Sequence, residues 1–319
     1  MVETINIERV KSQSHRNDVW ILRIIHNAKA MVGVSILFLF IIFAVLAPIL
    51  TPGDPGNFVA RGSLPPSSQY LLGTGPYGEN ELAQILWGGR TSLEIGFATG
   101  LVATFLSVLI GLSAGYFRGL ANDLLSLLIN IFLVMPGLPL AIILAAYLPS
   151  GPVTMVGVLS ITGWAWGARV FRSQVLSLRE KDFVAAALVS GESHFHIIFS
   201  EIFPNMVSLV VSNIIGATVY GIGAEVALEF LGLGNSTSVS WGTILFWAEN
   251  TTALMRNAWW QFLPAGLCVG LVGFALTMIN SSIDQVTNPR LRSESESAHV
   301  LRKYKVRPGR STPVISSYE

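Results

Sequence analysis

The stretch Lys181 to Asn205, KDFVAAALVSGESHFHIIFSEIFPN, decides how this chain is read. It is helical in pattern and polar, yet it sits between long runs that carry almost no charge. Asp182 is a candidate N-cap, and Phe183-Val184-Ala185-Ala186-Ala187-Leu188 supplies mostly good helix formers. Ser190-Gly191 interrupts that helix. A second one follows, with Phe195, Ile198, Phe199, Ile202 and Phe203 on one stripe at i, i+3, i+4 spacing, Ile197 off it, and Pro204 closing it. Glu192, His194, His196, Ser200 and Glu201 fill the remainder. Such an element is amphipathic and too polar to cross a bilayer; a short helix at the membrane surface is the simplest account of it.

Outward from this stretch, composition sets the class. The chain has 319 residues, 51% hydrophobic and 12% charged, with a mean hydropathy of +0.58. That is an all-α polytopic membrane protein rather than a soluble domain. Cys268 lies alone in an apolar run, so neither a disulfide framework nor a cysteine metal cluster is available within the chain.

Residues 1–29 are polar and basic, and Trp20, Ile21, Leu22, Ile24 and Ile25 suggest a short amphipathic helix at the membrane surface. Residues 30–53 are uncharged and form a first span, retained rather than cleaved because the leading polar region is long and Pro48 follows Ala44 and Ala47. Residues 54–90 are an outer loop rich in Pro, Gly and Ser. Residues 91–288 hold five further spans and the 182–204 loop. The second span runs from Ile95 to Phe117. The 45 uncharged residues Leu124 to Ala168 suit two spans, split at Leu148-Pro149-Ser150-Gly151-Pro152, with Pro136 and Pro139 kinking the first of them. The fifth covers Asn205 to Ala224 and the sixth Trp259 to Ile283. Residues 289–319 are a basic, Ser- and Pro-containing tail, disordered or held at anionic lipid.

Six spans put both ends on one side. That side holds 17 of the 20 Lys and Arg residues, and the other holds Arg61, Arg90 and Arg256. By the positive-inside rule the termini and the 182–204 loop are cytoplasmic.

The run A-A-A-x-x-x-G from Ala185 to Gly191, with Pro204 thirteen positions on, resembles the E-A-A-x-x-x-G…L-P loop of binding-protein-dependent ABC importer permeases. Ala185 replaces that family's Glu, and Phe203 its Leu. Gly73-Thr74-Gly75-Pro76-Tyr77-Gly78-Glu79-Asn80 with Trp87-Gly88-Gly89-Arg90 resembles the G-T-D-x-x-G-R-D…Y-G-x-R segment of the dipeptide and oligopeptide branch. Glu225-Val226-Ala227-Leu228-Glu229-Phe230-Leu231-Gly232-Leu233-Gly234 and Ser240-Trp241-Gly242 closely resemble its E-A-A-L-S-F-L-G-L-G…S-W-G. Pro264-Ala265-Gly266-Leu267 and Asn288-Pro289-Arg290-Leu291 resemble its P-G-L and D-P-R-L.

The resemblance implies a type I ABC importer permease fold with a cytoplasmic coupling helix that seats on an ATPase subunit. Asp182, Ala186, Ala187, Gly191, Phe195, Phe199 and Pro204 then stand at the ATPase-coupling positions, and Glu225, Gly232 and Trp241 along the substrate pathway or outer gate. It also implies a second homologous permease, two cytoplasmic ATPases that bind ATP and Mg, an extracytoplasmic solute-binding protein, and a prokaryotic cytoplasmic membrane. Peptides are the branch's main solutes; Gln84, Trp87 and the Asp284…Asn288-Pro289-Arg290 ending resemble oligosaccharide members.

The residues themselves offer no catalytic constellation. None of the five lysines follows a glycine, so no P-loop is present and ATP hydrolysis falls to partners. His194 and His196 point apart at i, i+2 and are expected in solvent or against a partner, not on a metal. Gly111-Leu112-Ser113-Ala114-Gly115 has the letters of a nucleophile elbow but lies inside a span, where small residues let helices approach. Glu225 and Glu229, with Glu94 and Asp284, are the carboxylates near the membrane and need protein or water around them. Glu225 either ties the fifth span to the adjacent outer loop, lines the mouth of the pathway, or is an interfacial carboxylate in water. The alternative class is a proton-coupled secondary transporter using Glu225 or Glu229.

Overall fold

The computed structural model describes residues 27–235 and 238–287. The expected amphipathic helix near Trp20 and the 289–319 tail lie outside the described residues. Within them the fold is helical, with only two isolated bridges, Phe58 to Glu79 and Thr74 to Asn80, in the outer loop.

Helix α1, Ala28–Leu50, begins where the Asn27 side chain accepts the Lys29 amide. Helix α2, Glu81–Tyr116, is 36 residues long, about 54 Å at 1.5 Å per residue, well beyond a hydrocarbon core of about 30 Å. It starts at an Asn80 cap, inside what the sequence suggested was loop up to residue 90. Polarity at Glu81 and Gln84 hides this helical start, because Glu81, Ala83 and Ile85 are buried against protein, not lipid.

Helices α3, Leu120–Val134, and α4, Gly137–Tyr147, are the two halves of the expected third span, bent by 88°. Pro136 sits at the break as the cap of α4. Pro139 falls within the first turn of α4, where a missing N–H costs nothing, so only Pro136 marks the bend. Helix α5, Pro152–Arg179, follows. Four segments are long and apolar enough to cross a membrane, namely Ala28–Leu50, Glu81–Tyr116, His194–Phe230 and Leu263–Asp284, and the α3/α4 pair makes a fifth if counted as one. The 28-residue α5 is outside that set, since Thr154, Ser160, Thr162, Trp164 and Trp166 dilute its apolar content.

Helix α6, Asp182–Val189, ends in a break. One α turn at His194–His196, a π-helical stretch Ile197–Ile202 and a 3-10 turn Phe203–Met206 then lead without interruption into α7, Val207–Phe230. Pro204 therefore does not close the second arm. It occupies the first positions of the 3-10 turn, where its absent N–H leaves no bond unmade, and the chain stays helical. The outer segment contains α8, Trp241–Asn250, and a short turn at Trp259–Gln261 precedes α9, Leu263–Thr287.

Helix α2 is the axle of the bundle, and glycines set how closely its neighbours approach. A Cβ on Gly111 would lie 2.6 Å from the Ala168 carbonyl oxygen, and one on Gly115 2.6 Å from the Val175 Cβ, both on α5. On the α7 side, a Cβ on Gly96 or Gly100 would collide with Ile222 or Thr218, and one on Gly221 would lie 2.9 Å from the Thr99 Cβ. This is close packing through small residues, as expected where lipid supplies no hydrophobic drive between helices. Gly100→Val should lower the thermal unfolding midpoint of the detergent-solubilised subunit, at a cost of about 2 kcal/mol or more from overpacking, whereas Gly270→Ala, whose Cβ would meet nothing within 4 Å, should leave it unchanged.

Candidate functional site

Two regions carry the candidate residues, one at each end of α2. At the first, the 182–206 loop is fastened to the bundle by a buried face: Val184, Ile197, Ile198, Ile202 and Met206 pack with Leu112 and Tyr116 of α2 and Phe171 and Val175 of α5. Ile197, set off the stripe by α-helical spacing, is fully buried. The π-helical stretch changes the angular step between residues, so Ile197, Ile198 and Ile202 share the inward face. Phe195 and Phe199, expected on the same stripe, turn outward instead, 72% and 50% exposed. Their rings stack on one another at 4.5 Å between centroids.

Gly191 has φ +78°. Its N–H donates to the Leu188 carbonyl at 3.1 Å and the Glu192 N–H to the Ala187 carbonyl at 3.1 Å, the paired bonds of a Schellman cap. An L side chain is strained at this φ, so the glycine fixes the corner between the two arms. Asp182 is the first residue of α6 and not its cap; Lys181 takes that place, and no side-chain bond caps the helix. Asp182, Ala186 and Pro204 are exposed and Ala187 is half-buried.

Polar contacts that sequence did not reveal brace this end of the bundle. Tyr116 Oη is hydrogen-bonded to His194 Nδ1 at 2.8 Å. His194 is thus held by the end of α2, whereas its neighbour His196 stands 3.8 Å from Glu192; the two rings do point apart. Arg179 Nη1 donates to the Gly115 and Tyr116 carbonyls at 3.0 and 3.2 Å, a cation on the terminal carbonyls of α2.

At the opposite end, Glu225 is fully enclosed and Glu229 is 4% exposed, so neither is an interfacial carboxylate in water. Ser92 Oγ donates to Glu225 Oε1 at 3.1 Å and accepts the Trp241 amide at 3.2 Å. Ser240 Oγ donates to Glu229 Oε2. Ser240 also caps α8 in a capping box with Thr243, and Trp241 Nε1 donates to the Ile85 carbonyl at 3.2 Å. Glu225 thereby ties α7 to α2 and, through Ser92, to the start of α8. Glycines make the room: a Cβ on Gly242 would lie 2.7 Å from the Glu229 Cβ, and one on Gly234 would collide with the Glu229 side chain. Gly232, φ +78°, ends α7 with the same Schellman pairing, Gly232 to Glu229 at 2.8 Å and Leu233 to Leu228 at 3.0 Å.

The other expected residues have structural partners. Gln84 Nε2 donates to the Pro55 carbonyl at 2.6 Å and Trp87 Nε1 to the Thr51 carbonyl at 3.4 Å, so both hold the outer loop to α2. Glu94 pairs with Arg90 at 2.9 Å, and Asp284 Oδ1 accepts from Ser212 Oγ at 2.9 Å. Among the described residues no group of three His, Cys, Asp or Glu is placed to hold a metal. Ser92 was missed because a single hydroxyl in an apolar segment gives no periodic signal, and Ser240 was visible only as a letter of the S-W-G motif, without a role.

The described residues form a helical bundle with segments long and apolar enough to cross a membrane and with polar clusters fastened at both ends. Residues 107–293 match the profile of the binding-protein-dependent transport system inner membrane component family, and residues 15–66 that of the N-terminal TM domain of oligopeptide transport permease C. The chain belongs to the binding-protein-dependent transport system inner membrane component family: it is a multi-pass, non-catalytic permease component of an ABC transporter. It is 28% identical over 283 residues to the dipeptide transport system permease protein DppC of Bacillus subtilis, covering 88% of each chain. Identity to the oligopeptide transport system permease protein OppC of the same organism is 30% over 274 residues, 85% of this chain and 88% of the relative. It is 32% to the dipeptide transport system permease protein DppC of Alkalihalophilus pseudofirmus, over 274 residues, 84% and 88% of the two chains.

Replacing Ser92 with Ala leaves the Glu225 carboxylate and the Trp241 amide each short of a partner. It should destabilise the solubilised subunit by about 2 kcal/mol in thermal unfolding followed by tryptophan fluorescence, whereas Ser113→Ala, whose exposed hydroxyl bonds only its own helix at Leu109, should not.

Proposed function

We propose that this chain is one permease subunit of an ATP-driven importer that moves short peptides across a prokaryotic cytoplasmic membrane. It crosses six times with α5 included, and both ends and the 182–206 loop lie in the cytoplasm. Its partners are a second, homologous permease, two ATPase subunits that bind ATP and Mg, and an extracytoplasmic solute-binding protein. The dipeptide and oligopeptide permeases it is similar to support peptide as the solute, and nothing in the arrangement of Glu225 and Glu229 favours the proton-coupled alternative.

The observation that carries the coupling role is the two-sided loop. One side, Val184, Ile197 and Ile202, is locked into the bundle, while Leu188, Val189, Phe195 and Phe199 stand outward as unpaired apolar surface on a polar, cytoplasmic element. Exposed apolar side chains on a rigid, braced projection suit a groove on a partner protein. ATP closes the ATPase pair, the loop moves with its ATPase, and the permeases shift from inward-open to outward-open, where the binding protein releases solute. Asp182, Ala186, Ala187, Gly191 and Pro204 shape this projection; Glu225, Gly232 and Trp241 fasten the outer gate.

The Phe195→Asp, Phe199→Asp double variant should fold, since both rings are exposed, yet fail to retain the ATPase subunits on co-purification from detergent extract. Gly191→Pro should do the same by abolishing the +78° corner. Undiminished ATPase recovery with both variants would refute the coupling role.

A further inference from the structure

A cleft of about 510 Å³ lies between the bent α3/α4 pair and helices α5, α7 and α9. Thr162, Ser212, Asn213, Tyr220, Asn280 and Asp284 line it together with Phe132 and Trp166. No Lys, Arg or His is among the described residues that line it. Its volume falls within the range of about 300–1,000 Å³ typical of small-molecule sites.

Three features mark the cleft as a wet, ligand-bearing space. First, the break in the third span opens onto it: Leu133, Met135 and Gly137 line the cleft, and the α4 start at Pro136 has no side-chain cap. Interrupted backbone at membrane depth persists only where protein or water satisfies it, so lipid chains are a poor filling. Second, its hydroxyls and amides are held in place. Tyr220 and Thr162 are hydrogen-bonded at 2.9 Å, and Asn213 Nδ2 donates to Thr104 Oγ1 at 2.9 Å. Asn280 Oδ1, by contrast, has no hydrogen-bond donor among the described residues, leaving a buried acceptor whose need for an N–H or O–H is unmet. Third, the cleft has an open floor. Gly216 lines the cleft, and a Cβ there would meet nothing within 4 Å.

We propose that this cleft is the chain's own solute subsite and that it takes a short peptide by its backbone amides. Asparagine side chains both donate and accept, as a peptide unit does, so Asn213 and Asn280 can bind backbone without reading side-chain identity. Phe132 and Trp166 receive the peptide's own side chains. Asp284, the carboxylate among the described lining residues, accepts from Ser212 Oγ at 2.9 Å; the neutral asparagines make the amide contacts, and their hold is weak enough to let solute leave, which passage requires. The inference rests on the importer reading above and adds to it where in this chain the solute is held and by which groups.

The test uses the complete transporter, with both permeases, the ATPases and the binding protein, in proteoliposomes and with Cys268→Ala as background. A water-soluble methanethiosulfonate should label Gly216→Cys, the dipeptide alanyl-alanine should slow that labelling, and the labelled transporter should keep hydrolysing ATP while losing dipeptide uptake. Asn280→Leu should raise the KM for dipeptide uptake about tenfold, the effect of one lost hydrogen bond to an enclosed group. Labelling only by a lipid-soluble maleimide would make the cleft a lipid-filled groove and overturn the proposal. So would protection by cellobiose but not by the dipeptide, or an unchanged KM in Asn280→Leu. A parent complex without ATP-dependent uptake would instead sink the importer reading, a distinct outcome.

Discussion

The close approach of α2 to α5 and α7 is the contact on which the rest of this molecule depends. In lipid, helices gain little from hydrophobic burial against each other, so shape fit between small residues has to hold them. Gly111 and Gly115 admit α5, and Gly96, Gly100 and Gly221 admit α7. The result is a three-helix block with polar fastenings at its two ends. At one end the Tyr116–His194 contact holds the 182–206 loop, and Arg179 ties the end of α5 to the end of α2. At the other, Ser92, Glu225 and Ser240 hold α8.

The local motif around Glu225 gains a physical meaning from this geometry. Its two glutamates are buried fasteners, its Gly232 supplies the left-handed turn that ends α7, and Gly234 and Gly242 are empty space that the Glu229 side chain occupies. Burying two carboxylates is costly unless they are bonded. Ser92 and Ser240 supply bonds to one oxygen of each. The same segment that most closely resembled the permease family is therefore the one that joins α7 and the following helix α8 to the distant α2.

Much of this was legible from the residues. Uncharged length located α1, α2, α7 and α9, Pro136 located the bend, and Ser190-Gly191 located the corner of the loop, because each depends on local chemistry alone. What escaped depends on tertiary surroundings. The first turns of α2 looked like loop because their polar residues are buried by protein, and Ile197 was set off the apolar stripe because spacing arguments assume an α-helix where the chain is π-helical. Gln84 and Trp87, which resembled oligosaccharide members of the branch, pin the preceding loop through Pro55 and Thr51. Apolar content alone leaves α5 outside the membrane-length set; its Thr162 and Trp166 line the cleft, and its Ser160 and Trp164 are buried.

The central claim is that the loop, the α2/α5/α7 block and α8 move as one piece. Spin labels at Ser193 and Asn250, in a cysteine-free background within the assembled transporter, measure it by pulsed dipolar distances with and without trapped ATP. The account expects the Ser193–Asn250 distance to stay fixed while the distance from Ser193 to a label on the second permease changes. A Ser193–Asn250 distance that shifts on ATP trapping would contradict it, because the two ends would then be moving independently.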